Sequence, residues 1–465
     1  ENAKAVKRIY MYADYQLEVD LNNDIALIEL VESVDNPSIS LIDLASTEQL
    51  SLQNSTVTVA GWGGREGYEP NNGPTSNFPS ILHQVDLQLL TNDECKNIFS
   101  QSFTEAFEGT FTPDDIDITT AMICAYIPGG GKGACQGDSG GPLMINTNEG
   151  WQQIGIVSWG IGCAADGFPG VYTRTGLFND WVNGITQGIA IDQFFDFPIQ
   201  IIDTTASANL SVINNSNLIA NLTFTIEGSS NFTIANDTCN QIAVGATCPL
   251  QVNYHSTEVG THTAKILITS DNSDIPTSTA KMSAQTITLA NHLKAQLSST
   301  DDALTWYSGG NLPWQVDHTD TAIVSGNITD NQQSIVMVTV SGEGELSFDW
   351  SVSSEENTEE PDKPFDALYL YVDDELIKFI SGEIAYQNET VNFSSGEHKI
   401  TWIYQKDPFT STGDDNAHIR NVTFTPINGV TPPTPTPETN TSSSGGSLTL
   451  LSLIFLGIIR LQRKK

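Results

Sequence analysis

Positive charge is scarce in this chain of 465 residues. Its 19 Lys and Arg stand against 56 Asp and Glu, a formal net charge of −37. So acidic a surface repels phosphate backbones and anionic headgroups, which excludes nucleic acid and argues against an anionic membrane as the main partner. The acid is spread along the chain rather than gathered in a tail, so it reads as a highly solvated surface. Cysteine is sparse too. None of Cys95, Cys124, Cys135, Cys163, Cys239 and Cys248 stands in a CxxC pair, and no histidine lies near them at zinc-ligand spacing. No metal site and no cofactor is expected on that basis. There is no internal repeat, which sets aside solenoid architectures. No apolar run reaches the about 20 residues of a membrane-spanning helix. The start, Glu1-Asn2-Ala3-Lys4, is neither a Met start nor a signal peptide, so something upstream is expected to be missing or removed.

What is present reads as several β-rich units. The length suits about two to four domains. An even number of scattered cysteines in such a chain suggests disulfides and an oxidising compartment. Residues 1–187 hold short apolar strands at Asp24–Leu30, Val57–Gly63 and Gln153–Trp159. They close with Phe178, Trp181, Val182 and Ile185 at helical spacing. Residues 188–199 read as a linker. Residues 200–287 alternate apolar and polar positions, as in Asn221–Ile226 and Ala264–Ile268, between Asn, Ser and Gly turns. Residues 293–425 repeat the pattern at Leu346, Phe348 and Trp350, at Leu368, Leu370 and Val372, and at His398, Ile400, Trp402 and Tyr404. Those aromatics are expected in a core rather than on a ligand platform. Residues 426–446 are a Pro, Thr, Ser and Gly spacer. Residues 447–465 carry the apolar run Leu448–Ile459 followed by Arg460, Arg463, Lys464 and Lys465.

Chemistry is concentrated in Cys135-Gln136-Gly137-Asp138-Ser139-Gly140-Gly141-Pro142. A serine hydroxyl is a poor nucleophile until a base takes its proton. Flanking glycines let backbone N–H groups converge on a developing oxyanion. The octamer resembles the nucleophile loop of the chymotrypsin/trypsin-like serine peptidases. Asn23-Asp24-Ile25-Ala26-Leu27 and Gly61-Trp62-Gly63 are similar to two further motifs of that family, in the expected order, so the resemblance covers residues 5–187.

The resemblance implies a role for each residue. Ser139 is the nucleophile, and the amides of Gly137 and Ser139 form the oxyanion hole. Asp24 orients the imidazolium formed during proton transfer. Asp138 is not a triad member but the partner of the amino terminus created by zymogen cleavage. Cys95 is expected to bond Cys124, and Cys135 to bond Cys163. Val57 and Ile145 occupy positions where many relatives carry another bridge. The specificity pocket takes Gly133, Ala134 and Gln136 from the nucleophile loop, Ser158, Trp159 and Gly160 from one wall, and Gly170 from another. An uncharged floor at Gly133 between glycine walls favours large apolar side chains, whose burial is worth about 2–3 kcal/mol. A basic preference through Asp166 on the rim is the alternative. Ser158 to Gly160 would pair with the substrate backbone as an added strand.

The family's general base is missing. None of His83, His255, His262, His292, His318, His398 and His418 precedes Asp24 or stands in the family's Ala-Ala-His-Cys context. The expectation is a chain that starts inside the first barrel, with the histidine upstream, rather than a substitution by His83.

The remaining units carry their own resemblances. Residues 200–287, with Cys239 and Cys248 stapling a local loop, resemble bacterial Ig-like modules. Residues 293–425 are similar to jelly-roll modules that follow exported bacterial peptidases. Gly445-Gly446, a short apolar helix and a basic tail resemble the C-terminal sorting signal of Gram-negative bacteria. That signal implies type II secretion, a rhomboid-type sorting peptidase and transient contact with the inner membrane.

The expected fold class is therefore all-β: a partial chymotrypsin-like double barrel, an Ig-like sandwich, a jelly-roll-like sandwich and a short C-terminal hydrophobic helix. The expected function is a secreted or surface-anchored serine endopeptidase acting on proteins or peptides. The alternatives are a catalytically dead peptidase-like surface binding protein or an adhesin.

Overall fold

Apolar side chains recur at every second residue through most of this chain, and the architecture that follows is a series of β-sheets. A computed structural model describes residues 4–15, 21–35, 38–68, 77–106, 109–297, 303–357, 362–407 and 413–427. The sorting segment expected over 447–465, its helix, and all but the start of the 426–446 spacer lie outside the described residues. Among those described, no helix is long and apolar enough to cross a membrane.

Six strands of the first unit close into a barrel. They are β4 (Thr56–Gly61), β5 (His83–Leu90), β6 (Met122–Tyr126), β7 (Pro142–Thr147), β8 (Gly150–Trp159) and β9 (Gly170–Arg174), in the cyclic order β4-β5-β6-β9-β8-β7. Closure leaves no open edge among these six strands. Val57, Leu87, Leu89, Ile123, Leu143, Ile145 and Ile154 fill it, so Val57 and Ile145 meet in one apolar core where a bridge might have stood. A separate pair, β1 (Val6–Met11) and β2 (Ala26–Leu30), runs antiparallel and leads directly out of Asp24. Its Ile9, Met11 and Ile28 are exposed.

Helices punctuate the barrel where capping residues allow. α1 (Leu44–Leu52) starts behind Asp43, whose carboxylate accepts from the Ser46 amide at 2.8 Å. α2 (Asn92–Ala106) follows a reciprocal cap in which Thr91 and Glu94 exchange hydrogen bonds. The Cys95–Cys124 disulfide then ties α2 to β6. α3 (Asn179–Thr186) closes the unit.

Residues 188–199, expected as a linker, are woven into sheets instead. β10 (Ile189–Ala190) pairs with β13 (Thr205–Asn214), and β11 (Phe194–Asp196) runs parallel to β18 (Ser278–Leu289). Their apolar side chains, including Ile191 and Phe197, are buried in the second unit's core, which overrides any linker character. That unit stacks two layers. One has the order β10-β13-β16-β15, with β15 at Phe232–Asp237 and β16 at Thr247–His255. The other contains β14 (Leu222–Gly228), β17 (Gly260–Ser270) and β18. Cys239 bonds Cys248 beside the first layer.

The third unit is not a detached module. β18 pairs through Ile287–Leu289 with β19 (Thr305–Gly310), so one sheet runs on into the third unit. A second, five-stranded sheet faces it, and Trp306, Trp314, Phe348, Trp350, Trp402 and Tyr404 lie fully buried between them.

Candidate active site

The nucleophile loop joins β6 to β7 and is fastened at both ends. The Cys135–Cys163 disulfide ties it to the segment after β8, and the Gly64 amide donates to Gln136 O at 2.9 Å. Within it, Gly137 has φ +92° and Gly140 φ +78°, backbone that glycine adopts without strain. The amides of Gly137 and Ser139 have no hydrogen-bond partner among the described residues, whereas the next amide, Gly140, donates to Val157 O. Two free N–H groups flanking one residue are what an oxyanion needs. Ser139 itself is exposed, and no described group hydrogen-bonds its hydroxyl.

Asp138 turns away from Ser139. Its Oδ1 accepts from the Gly63 amide at 2.7 Å and its Oδ2 from the Cys135 amide at 2.9 Å. The carboxylate lies so close under the Gly-Trp-Gly turn that a Cβ at Gly61 would sit 2.0 Å from Oδ1, and one at Gly63 2.4 Å from Cγ. This seat explains both glycines of a motif that, in sequence, marked only a turn.

Asp24, two residues ahead of β2, reaches the six-stranded barrel. The Ser158 hydroxyl donates to Asp24 Oδ2 at 2.7 Å, and the Thr173 hydroxyl donates to Asp24 O at 2.6 Å. Burial pushes the Asp24 carboxyl above its ordinary range, and the Ser158 hydrogen bond offsets part of that rise. Ser158 is expected from sequence as a pocket wall and as backbone partner of the substrate; its hold on Asp24, and that of Thr173, depend on strands far apart in sequence.

The residues expected to line a slot beside Ser139 occupy these positions. Gly133 faces Ala164, whose Cβ is 3.6 Å from where a Gly133 Cβ would lie. A Cβ at Gly160 would sit 4.0 Å from Gly170 Cα, whereas one at Gly170 would meet the Tyr172 ring. Gly170 in turn lies over the buried Tyr172 hydroxyl, which has no partner among the described residues. Burial, then the Asp138 charge, holds that phenol protonated. Ala134 packs against the barrel core and Trp159 against that around Phe99, while Gln136 is part-buried. Asp166 is exposed, and its Oδ1 is taken by the Tyr126 hydroxyl and the Gly129 amide.

No described histidine hydrogen-bonds Ser139 or Asp24. His83 sits on β5 opposite Gly61. Among the described residues no group of three or more His, Cys, Asp or Glu side chains could hold a metal ion.

Known proteins are similar to this chain in sequence over its first unit and in fold. The family described as "Trypsin" matches residues 1–182. The chain is 33% identical over 183 residues to Trypsin-1 of Astacus astacus, covering 39% of this chain and 67% of the relative. It is 38% identical over 166 residues to Trypsin II-P29 of Gallus gallus, covering 35% and 56%. It spans between a fifth of the length of the Drosophila melanogaster serine proteinase stubble, at 20%, and two thirds of Trypsin-1. In fold it is similar to the secreted serine protease VesC from Vibrio cholerae. The TM-score is 0.52 at 24% identity, over 91% of this chain and 84% of the other.

Proposed function

Because this chain belongs to the trypsin family through residues 1–182, we propose that it is the body of a secreted serine endopeptidase. Ser139 attacks the scissile carbonyl. Its proton passes to a histidine base and then to the leaving amine, and the amides of Gly137 and Ser139 hold the oxyanion. Asp24 orients and stabilises the imidazolium. The histidine is taken to lie outside residues 1–465. The observation that carries the reading is the 2.7 Å hydrogen bond from Ser158 to Asp24, which ties the carboxylate to β8 next to Val157, whose carbonyl accepts from Gly140 of the nucleophile loop. Gly133, Gly160 and Gly170 support a preference for large apolar side chains, since none adds charge or bulk.

Three disulfides support an oxidising destination. The segment from Gly445 to Lys465 is read as the sorting signal, cut by a rhomboid-type peptidase during type II secretion and touching the membrane only in transit. A C-terminus mapped by mass spectrometry on surface-exposed protein to a site upstream of Leu448 would support this; an intact tail would refute it.

A second reading, a non-catalytic surface binding protein or adhesin, is favoured by the absence of a described histidine bonded to Ser139. A fluorophosphonate probe separates the two, because it reacts only with an activated serine. Labelling of the natural full-length protein that is lost in Ser139→Ala supports the peptidase. Absence of labelling supports the second reading.

A further inference from the structure

Lys265 on β17 and Lys281 on β18 stand directly opposite each other in the register of the second unit. Like charges in that arrangement destabilise a sheet unless an anion sits between them. The anion here comes from the peptidase unit. Asp14 Oδ1 meets Lys281 Nζ at 2.7 Å, and its Oδ2 meets Lys265 Nζ at 3.6 Å. In a chain with only 19 basic residues, two are placed to share this one carboxylate. Burial alone would raise the Asp14 carboxyl; the two ammonium groups outweigh it and hold it below the usual range.

Asp14 is linked in turn to the catalytic segment. Its carbonyl oxygen accepts from Asn23 Nδ2 at 2.8 Å. Asn23, at φ +60°, is the residue before Asp24. The Tyr12 amide donates to Ile25 O at 3.1 Å, so the stretch 12–14 grips Asp24 from both neighbours. A second contact converges on the same stretch. The Lys281 amide donates to Gln193 O, Gln193 Oε1 accepts from Trp181 Nε1 at 2.9 Å, and Trp181 packs edge-on against Tyr12 at 5.3 Å.

We propose that Lys265 and Lys281 of the β-sandwich are positioning residues for Asp24, acting through Asp14 and Asn23. The six-stranded barrel holds Asp24 by Ser158 and Thr173, and the sandwich braces the same turn through Asp14. The sandwich is then part of the catalytic apparatus rather than an appended module. The inference rests on the reading of Asp24 as the orienting carboxylate, but the bracing itself can be measured without turnover.

Hydrogen exchange read by mass spectrometry on the 465-residue chain provides the test. The pair Lys265→Ala/Lys281→Ala is expected to speed exchange in peptides covering 21–27 by on the order of fivefold, the scale of two part-exposed charge pairs. Exchange in 122–126 stays unchanged. Asp14→Asn, made from the other side of the contact, gives the same change, and Lys265→Arg/Lys281→Arg restores the slow rate. Unchanged exchange at 21–27 in the alanine pair, or failure of the arginine pair to restore it, overturns the proposal. In the natural full-length enzyme the alanine pair should lower kcat about fivefold at constant KM. If that enzyme turns over nothing even without substitutions, the proposed activity fails, and the exchange data still decide whether the brace exists.

Discussion

Ser158 and Asp24 lie 134 residues apart in sequence, and a 2.7 Å hydrogen bond joins the hydroxyl of one to the carboxylate of the other. This bond crosses from β8 of the closed barrel to the residue that opens onto β2. It is the main polar tie on a carboxylate that burial has pushed up.

Removing the donor should therefore hurt most where Asp24 is ionised. Ser158→Ala leaves a largely desolvated acceptor unpaired, at a cost of about 1–3 kcal/mol near neutral pH. Asp24 has a raised folded pKa, so its ionisation lowers stability as pH climbs above the ordinary carboxylate range. Below that range Asp24 is neutral in both states and the penalty of Ser158→Ala shrinks. Urea melts of both proteins at pH 4 and pH 7 check this; an equal penalty at the two values contradicts it.

The Gly61–Asp138 contact makes a steric prediction. A methyl at Gly61 would stand 2.0 Å from Asp138 Oδ1, so Gly61→Ala must displace the carboxylate from the Gly63 and Cys135 amides. The expected loss is about 2–4 kcal/mol, combining overpacking with broken charge-assisted bonds. Gly140→Ala meets open space and suffers only from its φ of +78°, a cost of about 1 kcal/mol. Thermal melts should rank the two in that order.

The proposed uncharged floor at Gly133 predicts how specificity can be switched. A Cβ at Gly133 makes only ordinary contacts, the nearest at 3.5 Å to Ala164, so Gly133→Asp should fold. It would place a carboxylate where the slot has none. Binding of p-aminobenzamidine, an aromatic amidinium, is expected to strengthen at least about tenfold, the 1.4 kcal/mol of one partly desolvated ion pair. Calorimetry on the 465-residue chain suffices, because binding needs no general base. Unchanged affinity would place the floor elsewhere.

Asp366 gives the third unit a pH dependence. It is fully buried, its Oδ2 has no partner among the described residues, and burial pushes its carboxyl up to about 7. The Asp407 amide opposes that rise, while the charges of Asp407 and Asp415 add to it and Lys406 opposes it. Between pH 4 and pH 7 the unfolded chain has lost this proton and the folded chain has kept it, so stability falls as pH rises through that window. Asp366→Asn keeps the shape without the charge and should flatten the slope of Tm against pH between those values.

Residue patterns located the strands, since alternation survives wherever one face of a sheet is buried. The nucleophile loop and the Asp24 segment could be named because their motifs are local, the Cys95–Cys124 and Cys135–Cys163 pairs because the family resemblance implied them, and Cys239–Cys248 because its partners lie nine residues apart. The linker expected at 188–199 was not legible as strands, because Ile189, Ile191 and Phe197 become core residues only once β13 and β18 are there to cover them. The continuity of β18 into β19 was hidden for the same reason: pairing partners carry no mark of one another.

By itself, then, the sequence determined the serine-peptidase family and the all-β character. These depend on residue identity at short spacing. Only the tertiary structure decided that Ser158 and Thr173 hold Asp24, that Asp138 fills the space left by Gly61 and Gly63, and that Asp14 bridges two opposed lysines of another unit. Each of those joins groups far apart along the chain, and their contact energies exist only after the backbone has brought them within a few ångströms.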